Sequence, residues 1–244
     1  MDKYIEAFEN YVASFDLEVS QLKRKKEHTY RVIKLCMEIA KSLQMNDHDV
    51  FLMKLIGLYH DIGRFDQFKQ FSKFNDSETY DHASKGVIIL NTLQILDDLE
   101  EKDLILKAIE NHNQIKLEEN LSPREKQFCE IIRDADKLDI LNLVIEGKIK
   151  MNPYDEKYSE KAVQTILNGE CIDLKEYPRK VDQSLVKIGL MNDIVFPFSK
   201  QCILKNNMTD ELIEIYIKNN PKEKDTLEKI KKKVKERMND TNVR

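Results

Sequence analysis

The sequence predicts an all-α protein, a helical bundle followed by a C-terminal helical extension. Three observations carry this. Glycine and proline are few, six and five residues in 244, which favours long helices over a turn-rich sheet fold. Apolar residues recur at the i, i+3, i+4, i+7 spacing of a buried helix face in one segment after another. Helix-start signals are explicit, most completely at Ser122-Pro123-Arg124-Glu125, where a serine cap, a proline at the first helical position and a glutamate three after the cap coincide.

Length and composition narrow the class. A chain of 244 residues holds one large domain or two small ones with ample core. We expect a helical domain with the functional site over residues 1–150, and a helical extension over 151–244 packed on it. The net charge of −4 is well mixed, so no basic excess argues for a nucleic-acid partner. Cys36, Cys129, Cys171 and Cys202 are far apart and form no Cys-x-x-Cys pair, which reads as reduced thiols of a cytoplasmic protein. No apolar run approaches transmembrane length, so no membrane partner is expected.

In chain order, Tyr4, Ile5, Phe8, Tyr11, Val12 and Phe15 mark an amphipathic first helix over 3–21. The run Lys23-Arg24-Lys25-Lys26 reads as a solvated helix entry. The next helix, about 28–44, turns Val32, Leu35, Cys36, Ile39, Ala40 and Leu43 inward. His28 falls on that face, and Arg31 is placed to reach the same cavity. A nearly all-apolar helix through 50–57, capped by Asn46 or Asp47, delivers His60-Asp61 at its end. His48, in its first turn, reads as exposed and silent. Gly63 is expected to stop this helix in a left-handed cap. Residues 64–78, rich in phenylalanine and polar side chains, are expected to be a loop forming a pocket wall.

A helix beginning near 79–81 places His82, Gly86, Ile89, Leu90 and Leu93 on one face. In the helix from about 98 to 112, His112 ends the stripe begun by Ile105, Ala108 and Ile109. The helix after Ser122 carries Asp134, Asp136 and Asp139 within an apolar pattern, and Asp136, four after Ile132, is the inward candidate. Further on we expect helices over 156–167, 181–191, 200–218 and 222–238, and then a frayed tail.

Burying an ionised carboxylate beside an imidazole is costly unless a cation or hydrogen bonds compensate. Of the five histidines, His28, His60, His82 and His112 lie on apolar helix faces or beside an aspartate. With Asp61 and Asp136 they form a set of imidazoles and carboxylates suited to iron, manganese, zinc or nickel, with no thiolate needed.

His28, the His60-Asp61 doublet and Asp136 follow the order of the HD-domain superfamily, which this chain resembles over about residues 20–145. The resemblance implies an all-helical fold and metal-dependent phosphohydrolase activity. His82 and His112 resemble the extra ligands of its dinuclear branch. That branch comprises cyclic-dinucleotide and other phosphohydrolases, together with di-iron oxygenases of the inositol and phosphonate type. By resemblance, His28, His60, Asp61 and Asp136 hold one metal, and Asp61 bridges to a second completed by His82 and His112. The chain lacks the Gly-Tyr-Pro companion of cyclic-diguanylate hydrolases. It also lacks the Glu-Asp motif of alarmone hydrolases and the extended pattern of dNTP triphosphohydrolases.

The expected chemistry follows. Two divalent ions roughly 3.5–4 Å apart share a water and make it a hydroxide that attacks phosphorus. Iron or manganese comes first, with zinc, nickel or magnesium as alternatives. Asp61, Arg64 and Lys137 are the catalytic candidates, and Arg31, Arg64 and Lys137 the cations for a small phosphorylated substrate, a nucleotide foremost. Two rivals are a di-iron oxygenase built on the same ligands and a non-catalytic nucleotide-binding module. A homodimer is compatible with the sequence.

Overall fold

The computed structural model describes residues 1–240. Its helices are α1 (Asp2–Val12), α2 (Ser20–Ser42), α3 (Asp47–Tyr59), α4 (Ile62–Phe71), α5 (His82–Thr92), α6 (Lys102–Asn111) and α7 (Pro123–Ile145). They continue with α8 (Glu160–Leu167), α9 (Lys180–Ser184), α10 (Val186–Asn192), α11 (Pro197–Lys205), α12 (Met208–Asn219) and α13 (Lys224–Asn239). Short 3-10 turns cover Asp76–Glu78 and Pro221–Glu223. Among the described residues there is no strand: the protein is all-α. None of these helices is long and apolar enough to cross a membrane. The chain divides into two units, Met1–Ala135 and Asp136–Arg244. The division falls inside α7, whereas the sequence reading drew it after residue 150.

In the first unit α2 packs along α3, α4 against α5, and α6 against both α3 and α5. Helix α3 is the centre because its second half is almost wholly covered: Leu52, Met53, Leu55, Ile56, Leu58 and Tyr59 are all fully buried. Burial of each such side chain is worth roughly 1.5–3 kcal/mol. The helix opens on Asn46, whose Oδ1 accepts the Asp49 amide at 2.8 Å. In the second unit α13 packs against α8, α10, α11 and α12. It does so through Leu227, Ile230, Val234 and Met238, all buried, and keeps its lysines on the other side.

Several boundaries differ from the sequence expectation. The first helix ends at Val12, and α2 begins at Ser20 rather than at 28. The basic run Lys23–Lys26 therefore lies within a helix and is not its solvated entry. Gly63 does not stop a helix: it lies in the first turn of α4, and its φ is not positive. Its small size is used instead for close approach. A Cβ there would sit 2.1 Å from the His82 carbonyl oxygen and 2.9 Å from the Gly86 nitrogen. The expected loop at 64–78 is mostly α4, ended at Ser72 in a left-handed conformation, φ 55°. The helix expected over 200–218 is split by Asn207, also left-handed at φ 51°, and that over 181–191 breaks at Leu185. The expected tail beyond residue 240 lies outside the described residues.

The capping box of α7 forms as the sequence implies. Ser122 Oγ accepts the Glu125 amide at 3.3 Å, and Glu125 Oε2 accepts the Ser122 amide at 2.7 Å.

Candidate metal centre

The junction of α3 and α4 sets the site. Helix α3 closes at Tyr59, and His60 is held back onto it by a hydrogen bond from its Nδ1 to the Gly57 carbonyl, 2.8 Å. Asp61 then takes φ −106°, ψ 14° ahead of α4, the bridge region where the chain can turn without breaking its run of hydrogen bonds. Two helices thus present a histidine and an aspartate from one corner, both buried.

The other histidines come to the same carboxylate. His28 on α2, His82 at the first position of α5 and His112 at the C-cap of α6 are all buried. Toward Asp61 Oδ2, His28 Nε2 stands at 3.3 Å and His60 Nε2 at 3.4 Å. Toward Oδ1, His82 Nε2 stands at 3.1 Å and His112 Nε2 at 3.8 Å. Two donor groups result: His28, His60, Asp61 and Asp136, and then Asp61, His82 and His112. Within each, the ligand atoms lie within 4.8 Å of one another. Asp136 is half-buried and stands one residue past the division of the chain, on the continuous helix α7, while Asp134 and Asp139 are buried. The burial is thus the reverse of what the apolar spacing suggests, with Asp136 the least buried of the three.

The donor set fits a cation. His82 Nδ1 faces the Asp76 carboxylate at 2.6 Å, and His112 Nδ1 faces the Ile109 carbonyl at 2.6 Å. A carbonyl or carboxylate only accepts, so each Nδ1 carries a proton, and a ring with no second proton turns the lone pair of its Nε2 inward. Those two Nε2 atoms are 3.0 Å apart and both face Asp61 Oδ1. Acceptors converging on one point repel unless a positive charge lies among them. His60 repeats the pattern: its Nδ1 is committed to Gly57, and its Nε2 lies 3.3 Å from His28 Nε2. Partners of this kind on the far ring nitrogen orient metal-ligating histidines and fix their tautomer.

Around this core lies a second layer that the sequence reading missed. Asp76 Oδ1 accepts from Arg64 Nη1 at 2.6 Å and from Gln67 Nε2 at 2.9 Å, and its Oδ2 from Asn113 Nδ2 at 3.2 Å. Burial would raise the Asp76 carboxyl, but His82, Arg64 and Gln67 outweigh it and hold it well below the ordinary carboxylate range. Asp61 behaves likewise: burial opposes its ionisation, yet the Lys25 ammonium beside it keeps it deprotonated. Lys25 pairs directly with Asp61 Oδ2. The signal for Lys25 was available in the sequence, since it lies three residues before His28 and so shares its helix face once α2 starts at Ser20.

The remaining expected residues are placed as follows. Arg64 Nη1 is engaged by Asp76 and Gln67, and its Nε lies 3.6 Å from Asp61 Oδ1. Lys137 is buried and paired with Asp193. Arg31 is half-buried on α2. His48 is exposed and pairs with Glu101 at 2.8 Å.

The family model for the HD domain matches residues 26–141, a span that contains all six ligand candidates. Residues 26–141 therefore belong to the HD-domain superfamily. HD domains are metal-dependent phosphohydrolases as a class, although some members are non-catalytic. No curated protein and no solved structure matches the chain.

Proposed function

We propose that this HD domain holds two divalent metal ions and hydrolyses a phosphomonoester or phosphodiester, with a nucleotide as the substrate class. The observation that supports it is the shared carboxylate: Asp61 offers one oxygen to His28 and His60 and the other to His82 and His112. In this reading His28, His60, Asp61 and Asp136 hold one ion, and Asp61, His82 and His112 the other. Iron and manganese are among the metals that suit such a nitrogen and oxygen set. When bound, a pair of this kind neutralises charge on the phosphoryl oxygens and lowers the pKa of water to supply the nucleophile near neutral pH.

The chain's own residues prepare that chemistry. Asp61 supplies the negative charge that lets two cations lie close together. Asp76 keeps the proton of His82 on Nδ1 and so keeps its Nε2 available. Burial of the four histidines and Asp61 strengthens the electrostatic contacts among them. Arg64, steadied by Asp76 and Gln67, is the guanidinium beside the bridging carboxylate and serves the phosphoryl group. Arg31 and Lys137 are proposed to meet more distant anionic parts of the substrate.

The test is metal analysis of protein purified without added metal, followed by a panel of phosphate esters assayed with and without oxygen. The expected outcome is up to two transition-metal ions per chain and ester cleavage that proceeds anaerobically with manganese. Turnover that requires iron and oxygen, with no ester cleaved, would replace this reading by an oxygenase.

A further inference from the structure

Lys25 and His28 lie three residues apart on α2 and so share a face of it. The Lys25 ammonium pairs with Asp61 Oδ2. His28 Nε2 and His60 Nε2 approach that same oxygen, at 3.3 and 3.4 Å. Three groups, two from α2 and one from the junction of α3 and α4, therefore converge on one atom. The Lys25 side chain retains 19% of its exposure against 3% for Asp61, so the lysine is the more solvent-accessible member of the pair. Its Nζ also lies 5.8 Å from the centre of the Phe74 ring.

We infer that Lys25 competes with metal for Asp61 Oδ2 and, once a divalent cation holds that oxygen, provides the ammonium that binds a phosphoryl oxygen of the substrate. The inference rests on the function proposed above. A cation held by His28, His60 and Oδ2 would lie close to the ammonium, where like-charge repulsion exceeds the single hydrogen bond that keeps Lys25 in place. The lysine stem has four flexible carbons. Phe74 offers the displaced ammonium a π face to rest on. From there it meets an anion approaching from solvent and cannot return to Asp61. One side chain would thus lower the affinity for metal and raise the affinity for phosphate. A lysine that merely closes a surface ion pair would do neither.

The two effects have opposite signs, which makes them separable. Metal-free full-length protein, wild type, Lys25→Met and Lys25→Arg, is titrated calorimetrically with Mn²⁺ alone and then, once loaded, with inorganic phosphate. Lys25→Met should bind one of its Mn²⁺ ions about ten-fold more strongly than wild type, the scale of one charged hydrogen bond. The loaded variant should bind phosphate about ten-fold more weakly, for the same reason. Lys25→Arg, which keeps the charge, should resemble wild type in both titrations. Unchanged Mn²⁺ affinity in Lys25→Met overturns the competition, and unchanged phosphate affinity overturns the substrate role. A wild-type protein that takes up no Mn²⁺ overturns the two-ion reading itself, and the inference with it.

Discussion

In the second unit the buried Asp182 accepts the Ser159 amide at 2.7 Å. Asn192 donates to the carbonyls of Ile166 and Glu170 at 3.1 and 2.9 Å. Arg237 reaches Ile166 and Leu167 at the end of α8, and Lys200 reaches the Asp240 carbonyl at 2.7 Å. These polar groups terminate on backbone and close the ends of helices, as orphan amides and carbonyls require. In the first unit His28, His60, His82 and His112 turn toward a carboxylate and toward one another. Their outer nitrogens, where a partner is seen, end on Gly57, Asp76 and Ile109. Burial of polar residues is therefore not the mark of a site; the sign of the groups that meet is. Donors meeting acceptors complete a fold, whereas acceptors meeting acceptors call for a cation.

The comparison breaks most readily at Asp61. Asp61→Asn keeps the size but removes the charge between the two donor groups. Turnover should fall roughly a thousand-fold or more, the scale on which removal of one member of a working unit is felt. Adding His82→Ala should cost little further. Helix content measured by circular dichroism should be unchanged, and near-normal activity on a cleaved ester would remove the metal pair as catalyst.

Asp76→Asn sharpens the contrast within the site. Loss of an outer partner typically costs about 10–100-fold in metal affinity. It should fall on the ion of His82 and His112 and leave that of His28 and His60 unaffected, as read in a two-site Mn²⁺ titration. The smallest expected effect is in the second unit. Arg237→Met should lower the unfolding free energy by about 1–2 kcal/mol in urea melts and leave metal uptake unaltered.

The candidate ligands were legible in the sequence as residue types, and the four histidines also by their position on an apolar face or beside an aspartate. His82 and His112 needed only the 3.6-residue period. Asp76 did not announce itself: it lies in a polar stretch of 3-10 turn, Asp76–Glu78, with no periodicity, and only the fold brings it to His82. Lys25 was hidden by a boundary. The seven residues Ala13 to Val19 read as a continuation of the first helix, which pushed the start of the second too far along the chain. Long apolar periods survive such errors, and short polar segments do not. The phenylalanines of 65–74 misled for a related reason. Phe65 is fully buried on α4, but the interleaved Arg64, Asp66, Gln67 and Lys69 blur its helical period.

Gly63 has a consequence for how the centre is assembled. With no room for even one carbon between its Cα and the His82 carbonyl, the backbone of α4 rests directly on that of α5. Asp61 and His82 stand at the heads of these two helices, two residues before Gly63 and at the contact point itself. Their spacing is therefore set by main chain against main chain, and not by long side chains that adapt to whatever arrives. A site framed in this way resists reshaping by its occupant. Ions would be sorted by how well their radius suits a gauge already cut, and loading would proceed as insertion, without a folding step.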